Sequence, residues 1–254
     1  MEYSFDTYLA RPLPFERELG QLFGDQEPIT IFEVGACEGE DSIKLRRRFP
    51  RAQIHSFEPL PGNVAKIRRN FAKYGVHDVH LHELALSDTD GVAEFYVSSG
   101  HPEDQPRTDD WDFGNKSSSL LAPKEHLRTH SWLTFDEKIE VTTQRLDTFC
   151  ERHNIRRIDF LYLDVQGAEL MVLAGAGPLI GRIGAAWLEV EQIELYAGQP
   201  LRPDVESFML AHNFTCVLDT VGAVTGDQLY VADRLRRRLK RKRLHWSRRL
   251  HLRG

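Results

Sequence analysis

The heptapeptide Glu33-Val34-Gly35-Ala36-Cys37-Glu38-Gly39 places an acid, two glycines and a helix start within seven residues. The acid falls at the end of an apolar run, residues 30–34, and Gly35 and Gly39 open the turn that follows. Glycine permits close approach of backbone to a ligand and the dihedrals of a tight turn, and a helix start offers free N–H donors. A second acid, Glu58 of Phe57-Glu58-Pro59, ends the next apolar run. A carboxylate at such a strand tip can accept both hydroxyls of a ribose, and Pro59 ends the strand and fixes the turn. Singly, the first motif also reads as a plain strand-to-helix turn and the second as an exposed acid. Their register pairs them as a nucleoside site. A dinucleotide fits poorly, because G-x-G-x-x-G is absent and Glu33 and Glu38 would repel phosphates. A ribose with a cationic or neutral remainder fits better, and S-adenosylmethionine is such a ligand.

Short strands alternating with helices must hold these acids. Strand patterns fall at residues 30–34, 53–57, 79–86, 92–97, 138–143, 158–165, 185–190, 214–218 and 228–231. Helical patterns fall at 41–49, 61–74, 146–153, 168–174 and 205–212. In 61–74, Val64, Ile67 and Phe71 keep helical spacing between Pro61 at the start and Gly75 at the end. This alternation predicts an α/β domain with a largely parallel sheet, whose ligands bind outside the carboxyl ends of the strands. Residues 98–131 break the pattern with turn formers and acids, as a functional or disordered loop does.

Seven segments, in order, resemble the FkbM-type family of S-adenosylmethionine-dependent methyltransferases: IFEVGACEGEDSI, IHSFEPLPGN, HELALSDTDGVAEFYV, NKSSSL, VTTQRLDTF, IDFLYLDVQGAELMVLAGA and WLEVE. The family usually carries Asn where Cys37 stands and Glu where Gln166 stands. The resemblance implies a Rossmann-like class I methyltransferase, a doubly wound and largely parallel sheet with helices on both faces. It implies that Glu33 and the backbone through Gly35, Ala36, Cys37 and Gly39 hold the methionine part of the donor. Glu58, beside Pro59, takes the ribose, and Ser87 and Asp88 lie by the adenine. Asp164 faces the donor's amino group and the acceptor. Ser118, Ser119, Gln166, Glu189 and Glu191 belong to the acceptor side.

Methyl transfer from a sulfonium to oxygen is an in-line displacement that needs approach geometry and removal of the hydroxyl proton. Candidate bases are Asp164, Glu189 and a loop histidine (His101, His126 or His130), and Asp164 reads equally well as a donor-positioning carboxylate. A nucleophilic role for Cys37 is disfavoured, because the chemistry needs none and no activating histidine adjoins it. Trp111, in DDWDF, can stack on a sugar face or plug the core, and core packing is the better reading. The expected acceptor is a sugar or glycan hydroxyl. The alternatives are a polyketide or other small-metabolite hydroxyl, a catalytically silent donor-binding module, and a nucleotide-dependent oxidoreductase. No ligand spacing indicates a metal.

Charge is divided unevenly. From Arg234 to Gly254 there are eleven Lys and Arg and no acid, which leaves 22 basic and 38 acidic side chains, a net −16, in the other 233 residues. On a helix, Val231, Leu235, Leu239, Trp246 and Leu250 would form one apolar stripe amid basic residues. That reads as an anionic membrane surface binder, as a solvated arm or one docked on the acidic body, or, less favoured, as a nucleic-acid binder. The expected organisation is an N-terminal extension (1–28), a methyltransferase domain (29–232) and a basic tail (233–254). Three cysteines without metal-like spacing and an N-terminus unlike a signal peptide predict a cytoplasmic protein, peripheral at the inner membrane face through its tail.

Overall fold

The computed structural model describes residues 4–105 and 111–239, with only the backbone of His126 and Leu127. Two short helices, α1 (Phe5–Leu9) and α2 (Glu16–Leu22), precede β1 (Thr30–Val34), α3 (Glu40–Arg48), β2 (Gln53–Phe57), α4 (Pro61–Tyr74) and β3 (Val79–His82). Then come β4 (Ala85–Ser87), β5 (Gly91–Gly100), a 3-10 turn (Gly114–Ser117), α5 (His126–Thr129) and β6 (Leu133–Arg145). The chain continues through α6 (Leu146–Arg152), β7 (Ile158–Leu163), α7 (Glu169–Ala174), β8 (Ile183–Glu191), α8 (Arg202–Ala211), β9 (Phe214–Asp219) and β10 (Thr225–Ala232).

Seven strands form one sheet in the order β3-β2-β1-β7-β8-β10-β9, parallel except for β10, which runs antiparallel to both neighbours. Strand order reverses at β1, so the crevice beyond β1 and β7 is the topological switch point where such sheets bind ligands. The short apolar runs become strands because both sheet faces are covered. Phe32, Val34, Leu161, Leu163 and Leu188 pack into one core layer. Ile31, Phe160, Ala185 and Trp187 pack into the other. The mixed α/β fold with a mostly parallel central sheet is the one the alternation predicts.

Three expectations need correction. The apolar stretch 79–86 is two strands: β3 pairs with β2 in the main sheet, and β4 pairs with β6 in a separate three-stranded sheet, β4-β6-β5. Periodicity cannot mark that change of partner. The N-terminal 28 residues are no appendage, since Leu13, Phe15, Leu19, Leu22 and Phe23 are buried in the second core layer and Phe15 packs against Phe160 and Trp187. The apolar stripe of the tail loses its first members. Val231 is fully buried in β10, paired with Ala185, and Leu235 and Leu239 pack on the core, with Arg238 donating to Leu22 O at 3.0 Å. Trp246, Leu250 and the rest of the tail beyond residue 239 lie outside the described residues, as do residues 106–110 of the long loop. Among the described residues no helix is long and apolar enough to cross a membrane.

Candidate functional site

The turn after β1 is built around one close approach. Gly35 has φ +87°, and a Cβ there would sit 1.8 Å from the carbonyl oxygen of Asp164. Only glycine lets the β1 tip lie against the β7 tip so tightly. Gly35 and Ala36 donate to Phe57 O, each at 3.0 Å, which draws the β2 tip alongside. Gly39, at φ +80°, starts α3 and packs under Phe71 and Ile67 rather than facing the cavity. Three strand tips thereby meet around a cavity lined by Glu33, Gly35, Ala36, Cys37, Glu58, Pro59, Asn63, Asp164 and Gln166, among others.

Glu58 is buried and fixed by both oxygens: Cys37 N donates to one at 2.9 Å and Leu60 N to the other at 2.8 Å. Burial nevertheless raises its carboxyl to about 7. Asn63 also hydrogen-bonds the carboxyl, and the acceptor capacity that these bonds leave is open to a hydroxyl of a ligand in the cavity. Glu33, by contrast, is held through one oxygen, Oε2. Ser56 Oγ donates to it at 2.8 Å and Ser42 Oγ also donates, while burial raises the group to about 8. It forms part of the cavity wall.

Asp164, at the tip of β7, is open to solvent through the cleft but set deep among protein atoms, and that burial raises it to about 6. Gln166, at φ +56°, donates from Nε2 to Asp164 Oδ1 and to Glu189 Oε2, both at 2.8 Å. Glu189 lies just beyond the lining residues, and burial followed by the charge of Asp164 pushes it well above the ordinary carboxylate range. Glu191 is buried further along β8 and raised to about 7 by burial.

Several expected residues sit elsewhere. Ser87 and Asp88 do not line the cavity; Leu84, Ala85 and Leu86 do. The small sheet turns the chain away at Ser87, which pairs with Arg145, and Arg145 Nη1 holds Asp88 O at 2.8 Å. Ser118 lines the cavity, but Ser119 is buried behind it and donates to Gln166 O at 2.7 Å. Glu191 also stays out of the cavity: it shares a face of β8 with Glu189, but lies one step further along the strand and is buried near Glu169 of α7. Trp111 is both core and cavity wall, 7% exposed and tilted on Tyr8 at 5.3 Å. His101 and His130 are not among the lining residues.

Sequence reasoning missed several lining residues, among them Tyr8, Asn63, Asn115 and Lys116. Tyr8 of α1 donates to Asp41 Oδ2 at 2.8 Å. Lys116 donates to Glu40 Oε1 at 2.6 Å and lies 4.2 Å over the Trp111 ring, and against the burial that disfavours its charge the neighbouring acids Glu40 and Glu38 hold it charged. Asn115 Nδ2 donates to Glu38 Oε1 at 2.9 Å and Asn63 Oδ1 at 2.7 Å, which fixes its amide and leaves Oδ1 buried without a protein partner. The segment NKSSSL contains Asn115 and Lys116, so the signal was present but was read only for its serines.

A nucleoside with a cationic centre suits this cavity. Glu58 offers acceptors to ribose hydroxyls, apolar Leu84 to Leu86 offer a flat edge to a base, and Asp164 lies beside the β1 turn where a positive group would be favoured. Among the described residues no group of His, Cys, Asp and Glu is arranged to hold a metal ion.

Fold and site together define an α/β protein whose switch-point cavity suits a nucleoside. A family model described as the methyltransferase FkbM domain matches residues 33–216, and the chain belongs to the FkbM methyltransferase family. It is 33% identical over 218 residues to "2-O-methyltransferase NoeI" of Sinorhizobium fredii (strain NBRC 101917 / NGR234), covering 85% of this chain and 84% of that one. It is 25% identical over 209 residues to "31-O-demethyl-FK506 methyltransferase FkbM" of Streptomyces tacrolimicus, covering 79% and 78%. A solved structure of the N-terminal domain of EvdMO1 with SAH bound is similar at a TM-score of 0.45 and 12% identity, over 88% of this chain and 81% of that one. The protein is thus an S-adenosylmethionine-dependent methyltransferase, which excludes the oxidoreductase alternative.

Proposed function

We propose that this enzyme methylates a hydroxyl of a sugar or glycan. The observation that carries the reading is Asp164: a carboxyl at the tip of β7, lining the donor cavity, open to solvent on the acceptor side and held near pH 6 by burial. A group with that affinity is ionised at neutral pH and basic enough to receive a hydroxyl proton as the new bond forms. Relatives named for transfer to oxygen support the choice of atom. The polar, acid-rich cleft supports a polyhydroxylated acceptor, and the relative acting on FK506 favours, as a second reading, a hydroxyl of a small metabolite.

Glu58 would orient the ribose of S-adenosylmethionine, and the β1 turn would face its methionine end. When bound, that cofactor supplies a methyl carbon on a positively charged sulfur, which keeps the bonding pair as the acceptor oxygen takes the carbon. Asp164 receives the proton, so the acceptor oxygen is never left as a free anion. Glu189, which lies just beyond the lining residues and whose oxygens already meet Gln166 Nε2 and Thr225 Oγ1, is the weaker candidate for base.

A panel of neutral glycosides and small alcohols, assayed with isotope-labelled donor by mass spectrometry, tests the reading. Gain of one methyl on a sugar oxygen supports it, and methyl gain only on non-sugar hydroxyls favours the second reading. Donor binding without transfer to any acceptor identifies a silent donor-binding module. With an accepted sugar, Asp164→Asn should slow the single-turnover step by about 10²–10⁴-fold. Unchanged single-turnover chemistry with weakened donor binding would make Asp164 a positioning carboxylate.

A further inference from the structure

Gln166 occupies an unusual place in the site. It lies in the left-handed region at φ +56°, immediately before Gly167 at φ +92°, so the chain turns sharply between β7 and α7. The turn aims its side chain across the cleft. Nε2 spends both hydrogens on carboxyl oxygens, Asp164 Oδ1 and Glu189 Oε2, each at 2.8 Å. Oε1 lies 2.9 Å from the hydroxyl of Tyr196, which also reaches Ser117 O at 2.8 Å. The two carboxyls set the orientation of the amide: reversed, it would place its oxygen against two carboxyl oxygens. Its backbone oxygen accepts from Ser119 Oγ at 2.7 Å. The loop carrying Ser117 to Ser119 and the tips of β7 and β8 are therefore joined at Gln166, through its side chain, its backbone oxygen and Tyr196.

We propose that Gln166 is a positioning residue for methyl transfer, holding the Asp164 and Glu189 carboxyls as a pair in which Asp164 is the ionised member. This rests on the O-methylation reading above. Two carboxyls bridged by a single nitrogen cannot both ionise readily, because like charges at that separation repel. Two N–H bonds from one neutral amide stabilise a single negative charge on either oxygen. The environment then selects the site of that charge. Asp164 has the cation Lys116 near it as well as Asp41 and Glu40, whereas the charged groups that weigh most on Glu189 are acids, Asp164, Glu191, Glu169 and Asp227. Thr225 Oγ1 lies 3.1 Å from the other oxygen of Glu189, and its hydroxyl can turn to accept from a protonated carboxyl. In the transfer the acceptor O–H bond breaks, its proton passes to the Asp164 carboxylate, the O–CH3 bond forms and the S–CH3 pair stays on sulfur. Glu189 keeps its proton throughout. A glutamate at position 166 would add a third acid between the two and change which of them ionises.

The test follows the carboxyl 13C resonances of Asp164 and Glu189 by NMR between pH 4 and 9, in protein saturated with S-adenosylhomocysteine. Asp164→Asn and Glu189→Gln supply the assignments. The parent should show two coupled titrations with Asp164 ionising first. In Gln166→Leu, the Asp164 titration should move up by about one pH unit, and the acid limb of kcat/KM on an accepted glycoside should move with it, while S-adenosylhomocysteine affinity stays within about two-fold. Gln166→Glu should retain turnover at high pH with the acid limb displaced upward. If the parent methylates a hydroxyl acceptor but Gln166→Leu titrates and turns over with an unmoved acid limb, the positioning role is refuted and O-methylation stands. If the parent transfers no methyl to oxygen of any panel member, O-methylation fails, and the NMR titrations still decide whether Gln166 sets the order of ionisation. Loss of folding in Gln166→Leu leaves Gln166→Glu to decide, an unshifted limb there again refuting the proposal.

Discussion

Replacing Glu58 with Gln tests the donor site at its most defined point. The carboxylate is buried, and both oxygens are held by backbone N–H groups of Cys37 and Leu60. Gln keeps the size and removes the charge and one acceptor. One lost hydrogen bond to a charged group costs about 1.5–3 kcal/mol, so affinity for S-adenosylhomocysteine should fall about ten- to a hundred-fold at pH 8. A second signature is independent of that magnitude. Burial holds the carboxyl at about 7 in the free protein, and ribose hydroxyls bind its ionised form. Below pH 7 the competent fraction falls about ten-fold per pH unit, and the apparent affinity falls with it. That component of the slope should vanish in Glu58→Gln, whose amide does not titrate. Calorimetry from pH 5.5 to 8.5 on both proteins, each checked for folding by thermal melting, measures both effects. Equal affinity at pH 8 together with equal slopes would show that Glu58 does not hold the ribose. The substitution also strands one backbone N–H, a cost of about 1–3 kcal/mol that belongs to stability and is read from the melt alone.

Two other outcomes are expected. His55 Nδ1 lies 2.9 Å from His82 Nε2, and burial lowers the two rings to about 3 and about 4. Both therefore stabilise the fold in their neutral form. Their contribution is complete above the unfolded value near 6.5 and is lost as pH falls from there toward 4. Relative to His55→Phe, the parent should lose about 2 kcal/mol of unfolding free energy between pH 7.5 and 5, measured by urea denaturation; a parallel pH dependence in both proteins would refute this. The raised carboxyls Glu33 and Glu58 act in the opposite direction and cancel in the comparison. For the tail, removing residues 240–254 takes away seven of its eleven basic side chains, each contributing at most ~1 kcal/mol at an anionic surface. The full chain should pellet with phosphatidylserine vesicles at low salt, and the shortened chain should not, while keeping its donor affinity; equal pelleting of the two refutes membrane binding by the tail.

The strand-tip acids were legible because they end short apolar runs, and apolar runs bounded by Gly and Pro are what a buried parallel sheet requires. Glu58 and Asp164 accordingly fall where the sequence places them. Tyr8, Asn115 and Lys116 carried no such mark. They come from an N-terminal segment and an irregular loop whose positions are set by what they pack against, and neither has a period to read. The displacement of Ser87 and Asp88 has the same origin: a two-strand division hidden inside one apolar stretch. Val231 suits both the end of a strand, 228–231, and the first place in a helical stripe with Leu235 and Leu239, and pairing with Ala185 on β8 decides for the strand.

The interior place of β1 in the sheet has a consequence for how this chain reaches its native state. β1 is flanked by β2 on one side and β7 on the other, and Thr30 N is held by Asp159 Oδ2, 129 residues downstream. Phe15, buried against Phe160 and Trp187, waits still longer for its neighbours. During synthesis from the N-terminus, one edge of β1 and the apolar face of the first segment stay uncovered until most of the chain has emerged. Nascent chains ending in the loop after β5 would expose an unpaired parallel edge, the geometry that recruits other strands. Folding of this enzyme is therefore a late, nonlocal event, expected on the slow side for its size, and chaperone dependence should be concentrated in the interval before β7 is released from the ribosome.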